Sequence, residues 1–158
     1  MSKINNIYIY TGKIGTGKTT RLLQWASAQK NIDGILQPLI EGKRYIYHLS
    51  TKTLKPLETN ETSNSYKIGK YFFNKDTFDW AKIILNQNIR KNLNWLIIDE
   101  VGPLELNGNG LEPLISELIY NKKIFVGKIV LVIRESILEK AIKHYKLADK
   151  YKFFNEII

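Results

Sequence analysis

Gly12-Lys13-Ile14-Gly15-Thr16-Gly17-Lys18-Thr19 is the stretch on which the fold turns. The octapeptide fits G-x-x-x-x-G-K-[ST] in full, and it lies where the mechanism of that pattern needs it. It follows a short β-branched and aromatic run, Ile7 to Tyr10, and opens a segment in which Leu22, Trp25, Ala26 and Gln29 recur at helical spacing. In such a strand, loop and helix the glycines let main-chain N–H groups converge on a phosphate, while the helix presents its positive dipole end to the same anion. Lys18 is placed to reach the β- and γ-phosphates, and Thr19 to set its hydroxyl on Mg²⁺. Thr20 can touch the α-phosphate or simply face solvent from the first helical turn.

Working outward, the chain keeps alternating strand and helix patterns. Gly34 to about Leu57 breaks into short alternating pieces around Glu41-Gly42-Lys43, the signature of a β-hairpin block beside the main sheet, and Tyr66 to Phe73 adds another strand. Asn74 or Asp76 can cap a helix that carries Phe78, Ala81, Ile84 and Leu85 on one face. Trp95 to Ile98 is apolar enough to be buried on both faces. Leu111, Leu114, Ile115, Leu118 and Ile119 form a helical apolar stripe with Pro113 in its first turn, and Ile129 to Ile133 is a further buried strand. Ser136-Ile137-Leu138-Glu139 reads as a capping box opening a last helix with Leu138, Ala141, Ile142 and Tyr145 inward, and Tyr151 to Ile158 closes with a strand. The expected architecture is α/β, a mostly parallel sheet flanked by helices with a β-hairpin insertion, in which ligands bind at the carboxyl ends of the strands.

The next chemistry-bearing residues sit at such an end. Leu96-Ile97-Ile98-Asp99-Glu100 is an apolar run that terminates in two acids. Asp99 at the sheet edge can bind Mg²⁺ through water, and Glu100 can polarise an attacking water. An apolar run ending in acids also describes a strand returning to solvent; the phosphate loop upstream favours the catalytic reading. Where Glu100 serves this way, another parallel strand usually lies between the loop strand and the Asp strand, and Ile129 to Ile133 is the candidate. Arg134 would then stand at its carboxyl end, near the γ-phosphate, where a cation stabilises developing charge, or would merely mark the strand's exit.

Composition bounds the rest. At 158 residues, 44% hydrophobic and 25% charged, with no linker, repeat or low-complexity tract, the chain is expected to form one domain over 1–158. The absence of Cys excludes disulfides, thiolate metal sites and Cys nucleophiles, and His48 and His144 alone cannot build an all-His metal centre. The formal charge of +9 invites a nucleic-acid reading, but twenty of the 24 basic residues are Lys in a chain rich in Ile and Asn, so part of that charge is compositional drift. No apolar stretch is long enough for a membrane span, and MSKINNIYIYTGK lacks a signal-type apolar core, which makes a cytoplasmic protein the expectation.

With these residues in view, the sequence resembles the THEP-type nucleoside triphosphatases, small P-loop enzymes, over nearly its whole length. The resemblance is carried by Gly12 to Thr20, by Ile35-Leu36-Gln37-Pro38, by Ile68-Gly69-Lys70-Tyr71-Phe72-Phe73, and above all by Leu96-Ile97-Ile98-Asp99-Glu100-Val101-Gly102-Pro103-Leu104-Glu105-Leu106. That last stretch is similar to the family's Asp-Glu-[Ile/Val]-Gly-x-[Met/Leu]-Glu signature. It implies a RecA-like core, Mg²⁺-dependent hydrolysis of nucleoside triphosphates to diphosphates, and tolerance of the base. By match, Gly12 to Thr19 and Leu96 to Pro103 are the two nucleotide-binding segments, including Leu96, Ile97, Ile98, Val101 and Gly102. Pro103 stands where many members carry Lys, so no phosphate-directed lysine is implied there, and Glu105 is expected to be a solvated loop carboxylate.

Absences narrow the alternatives. No N-K-x-D run suggests guanine specificity, and four Arg in the chain are few for a nucleoside monophosphate kinase lid. Trp25, Trp80 and Trp95 read as core, and His48 as a hairpin side chain. A nucleotide-switched module for a protein or nucleic-acid partner and a small-molecule kinase stay as alternatives to the hydrolase, with nucleic acid possible but not favoured.

Overall fold

The computed structural model describes residues 6–158; residues 1–5, where the N-terminal stretch read for a leader begins, lie outside that span. Strand β1 (Ile7–Gly12) is buried through its first four residues and breaks into the glycine loop, from which α1 (Lys18–Ser27) starts. Its N-cap is Gly17 at φ 78°, a left-handed backbone that, with Gly15 at φ 76°, only glycine adopts freely. Then follow β2 (Ile32–Leu36), β3 (Leu39–Ile40), β4 (Lys43–His48), β5 (Thr53–Pro56), β6 (Glu58–Thr59), β7 (Ser65–Ile68) and β8 (Tyr71–Asn74). Helix α2 (Lys75–Ile89) is capped by Asn74, whose side chain accepts the Asp76 N–H at 2.9 Å. The chain closes with β9 (Trp95–Asp99), α3 (Pro103–Leu106), α4 (Leu114–Tyr120), β10 (Lys128–Arg134), α5 (Leu138–His144) and β11 (Lys152–Phe153).

The main sheet runs β11-β1-β10-β9-β2-β4-β3, with β5 added to β4; its first five strands are parallel and the hairpin strands antiparallel. Strand β10 lies between β1 and β9, the place expected for it from the adjacent acids. Period-two alternation splits the core between the two faces. Leu96 and Ile98 of β9 pack with Phe78, Ala81 and Leu85 of α2 and Ile115 and Leu118 of α4; Trp95 and Ile97 pack on the opposite face with Leu22 and Ala26 of α1 and with Phe154. Trp25 meets the Trp95 ring edge-on at 5.0 Å and Trp80 is partly buried, so all three tryptophans are packing groups. No helix among the described residues is long and apolar enough to cross a membrane.

Several local expectations change. Gly34 belongs to a core strand, β2, rather than to the hairpin block, because a Cβ there would run into the Ile97 backbone of β9, and only glycine permits that approach. The hairpin strands consequently extend the main sheet. Tyr66 to Phe73 is itself a hairpin, β7 and β8, which with β6 makes a separate three-stranded sheet. Helix α1 ends before Gln29. The capping box at Ser136 does not form: residues 135–137 make a 3₁₀ turn, and α5 starts behind Ile137 with no side-chain cap. The closing strand is two residues long. Beyond it Asn155 imitates one more strand residue, accepting the Thr11 N–H at 3.1 Å and donating to the Thr11 carbonyl at 2.8 Å.

Candidate active site

The carboxyl ends of β1, β9 and β10 and the start of β3 and β4 surround a cleft of about 320 Å³. On one wall lies the glycine loop from Ile14 to Thr20; on the other stand Asp99, Glu100 and Arg134, and across them Gln37, Leu39 and Arg44. Lys18 has no anionic partner among the described residues and donates to the loop's own carbonyls, Gly12 at 3.2 Å and Lys13 at 2.9 Å. Thr16 donates to the Lys13 carbonyl at 2.8 Å and stiffens the same turn. A Cβ on Gly12 would lie 3.3 Å from Lys18 Cδ and from Thr16 Oγ1, so the lysine stem runs close along the backbone there.

Asp99 is 3% exposed and touches the loop directly: Thr19 Oγ1 donates to its Oδ2 at 2.7 Å and the Gln37 N–H donates to the same oxygen at 3.2 Å. Burial, reinforced by the adjacent Glu100 charge, pushes its carboxyl up to about 7 despite these donors and Arg44. A buried carboxylate against a threonine hydroxyl is a hard oxygen pair short of positive charge. No group of three or more His, Cys, Asp or Glu among the described residues could cage a metal. Mg²⁺ keeps several waters and commonly binds through one or two protein oxygens plus substrate phosphates, so Thr19 and Asp99 fit that ion.

Glu100 meets two guanidinium groups. Arg134 Nη2 donates to Oε1 at 3.0 Å and Nε to Oε2 at 3.2 Å, a two-pronged pairing, while Arg44 Nη1 stands 3.7 Å from Oε1. The turn carrying Glu100 is held by the Val101 N–H, which donates to the Val132 carbonyl at 2.9 Å and extends the β9–β10 ladder.

Most expected site residues therefore converge. Leu96, Ile97, Ile98 and Val101 do not line the cleft: each is fully buried in the core on either side of the point where Asp99 and Glu100 emerge. Gly102 and Pro103 lie behind Glu100 and line a neighbouring cavity of about 40 Å³. Thr20 is exposed along the cleft wall. Glu105 is not solvated: at 3% exposure it accepts the Gly102 N–H at 2.8 Å and the Leu111 N–H at 2.9 Å, tying together both ends of the loop behind the acids. Burial pushes its carboxyl up to about 7. Gly110 must lack a side chain here, since a Cβ would overlap the Glu105 carboxylate.

Arg44 and Gln37 were not anticipated as site residues. One signal was present for Arg44: in a chain that uses Lys for twenty of its basic positions, each of the four Arg stands out. His48 is a hairpin side chain, as expected, though a buried one far along β4. It joins Asp33 at 3.2 Å and Ser50 at 3.1 Å through the same Nε2, so its ring cannot relay a proton from that hydroxyl to that carboxylate.

The sequence profile of the NTPase family matches residues 6–155. The nucleoside-triphosphatase THEP1 of Thermotoga sp. (strain RQ2) is 23% identical over 125 residues, 77% of this chain and 72% of that protein. The crystal structure of THEP1 from the hyperthermophile Aquifex aeolicus superposes with a TM-score of 0.65 at 19% identity, covering 93% of this chain and 87% of that one. The solution structure of a human cancer-related nucleoside triphosphatase gives 0.59 at 18% identity, covering 94% and 87%. At these identities the superpositions establish a shared fold.

Proposed function

The chain belongs to this NTPase family, and on that premise we propose that it is a nucleoside triphosphatase, hydrolysing ATP, GTP and related nucleotides to the diphosphate and phosphate. The observation that carries the reading is the contact of Thr19 with Asp99 at 2.7 Å, which brings the phosphate loop and the acidic strand end into one cleft beside Lys18 and Glu100. Lys18 exchanges its loop carbonyls for the β- and γ-phosphate oxygens, and the N–H groups from Gly15 to Thr19 cradle the same chain of phosphates. Thr19 and Asp99 would hold Mg²⁺, which when bound neutralises phosphate charge. Glu100 takes a proton from the attacking water as the water oxygen bonds to the γ-phosphorus; the bond from that phosphorus to the β,γ-bridging oxygen breaks, and the nucleoside diphosphate leaves.

A multiple-turnover screen of the common nucleoside triphosphates with magnesium, repeated with candidate acceptors and polynucleotides, tests this. Inorganic phosphate released from several nucleotides at similar rates is the expected result. A labelled product other than phosphate would make the protein a transferase, and turnover seen only with a polynucleotide would make it a partner-switched module.

A further inference from the structure

We infer that Arg44 is a catalytic residue of this hydrolysis, paired with Arg134: the two guanidinium groups hold Glu100 in the resting cleft and neutralise the terminal phosphate during turnover. The inference rests on the proposed hydrolysis and adds to it a residue supplied by the hairpin. In the strand order β10-β9-β2-β4 the two arginines approach Glu100 from opposite sides, Arg134 from β10 and Arg44 from β4. Both line the cleft that Lys18 enters. Arg134 spends both prongs on Glu100, whereas Arg44 makes one looser approach at 3.7 Å, which leaves most of its N–H donors for another anion.

Arg44 is also delivered from a fixed main chain. Its N–H donates to Glu58 Oε1 at 3.2 Å, its carbonyl accepts the Leu57 N–H at 3.0 Å, and the next residue, Tyr45, donates its N–H to the Pro38 carbonyl at 3.0 Å. The side chain is 23% exposed, open enough to meet a ligand and enclosed enough for its charge to count. Positioned charge of this kind lowers a barrier because its ordering has been met in folding. Lys18, Arg44 and Arg134 bring three cations into a cleft that holds two carboxylates, an excess of positive charge that a polyanion corrects. A guanidinium fork matches phosphate oxygens as an ammonium does not, and the cleft takes two of the four Arg in the chain. As the bond to the bridging oxygen breaks, negative charge gathers on that oxygen and the transferring phosphoryl group, and a further cation there acts on the transition state more than on bound nucleotide.

The test compares wild type with Arg44→Ala and Arg44→Lys. Arg44→Ala should lower kcat by about 10²–10³-fold while ADP affinity stays within about threefold, and should abolish the trapping of ADP by magnesium and aluminium fluoride that is expected of wild type. Arg44→Lys, which keeps the charge without the fork, should recover less than about a tenth of the rate. Arg44→Ala turning over within about threefold of wild type, a loss confined to KM, or undiminished trapping would each overturn the assignment. A wild type inert to every triphosphate would remove the underlying reading and this inference with it; an active wild type with an unimpaired Arg44→Ala would remove this inference alone.

Discussion

Two buried aspartates on adjacent parallel strands have opposite surroundings. Asp33, near the start of β2 and 2% exposed, has its carboxylate filled: it accepts the Gly34 N–H at 2.8 Å, the Ser50 N–H at 3.1 Å, the Ser50 hydroxyl at 2.8 Å and the Asn88 amide at 2.8 Å, with His48 at 3.2 Å and Lys91 at 3.5 Å. Burial works against its charge, but these donors outweigh it and hold the group below the ordinary carboxylate range. Asp99, at the far end of β9 and 3% exposed, receives among the described residues only the Thr19 hydroxyl and the Gln37 N–H, and burial, reinforced by the adjacent Glu100, pushes it up to about 7. A buried charge whose partners are all protein has a structural task. One that accepts two hydrogen bonds at the edge of an open cleft keeps acceptor capacity for a ligand, the role given to it in the proposed hydrolysis.

The comparison can be broken at the Asp33 end first. Asp33→Ala strips the acceptor from five donors in β2, β4, the turn after β4 and α2, and should cost about 3–5 kcal/mol of stability by denaturant unfolding. Turnover per folded molecule should not change, since Asp33 lies outside the cleft. A variant of near-normal stability with impaired turnover would reverse the roles assigned to the two aspartates.

Glu105 offers a smaller and graded test, since it shares the burial of both aspartates and accepts two backbone N–H groups. Its carboxyl is raised from 4.5 to about 7 in the fold. Between those values the folded chain retains a proton that the unfolded chain has released, so stability should fall as pH rises across that window and level off above it. The full effect of such a shift is about 3 kcal/mol. Asp33 has the opposite sign: its contribution is present above the unfolded value of 3.8 and is lost as pH falls through its lowered folded value. Glu105→Gln should remove its share of the fall between pH 4.5 and about 7, measured by urea titrations at several pH values, and leave the acid limb in place. An unchanged slope would mean that Glu105 is charged throughout.

What could be read from the chain divides along the same line. The glycine loop that opens α1, the Asp99-Glu100 strand end and the strand between β1 and β9 were legible because each depends on local pattern: glycine spacing, an apolar run, and the strand order expected with adjacent acids. Strand β2 was not, because Asp33 and Gly34 are poor strand residues by propensity, and the reasons for both lie elsewhere, in the donors of β4 and α2 and in the close approach of Ile97. Glu105 was misjudged for a related reason. A loop carboxylate looks solvated until Gly102 and Leu111, on either side of it, are seen to turn their N–H groups inward. Arg44 escaped because only sheet order brings the fourth strand's side chain to the end of the central ones.

The reaction itself is tested most directly at Glu100. Phosphate release and ATP binding should be measured on Glu100→Gln, with Lys18→Ala as the contrast. The account predicts that Glu100→Gln binds ATP within a few-fold of wild type while turnover drops by about 10²–10⁴, and that Lys18→Ala loses both. Undiminished phosphate release by Glu100→Gln would contradict it.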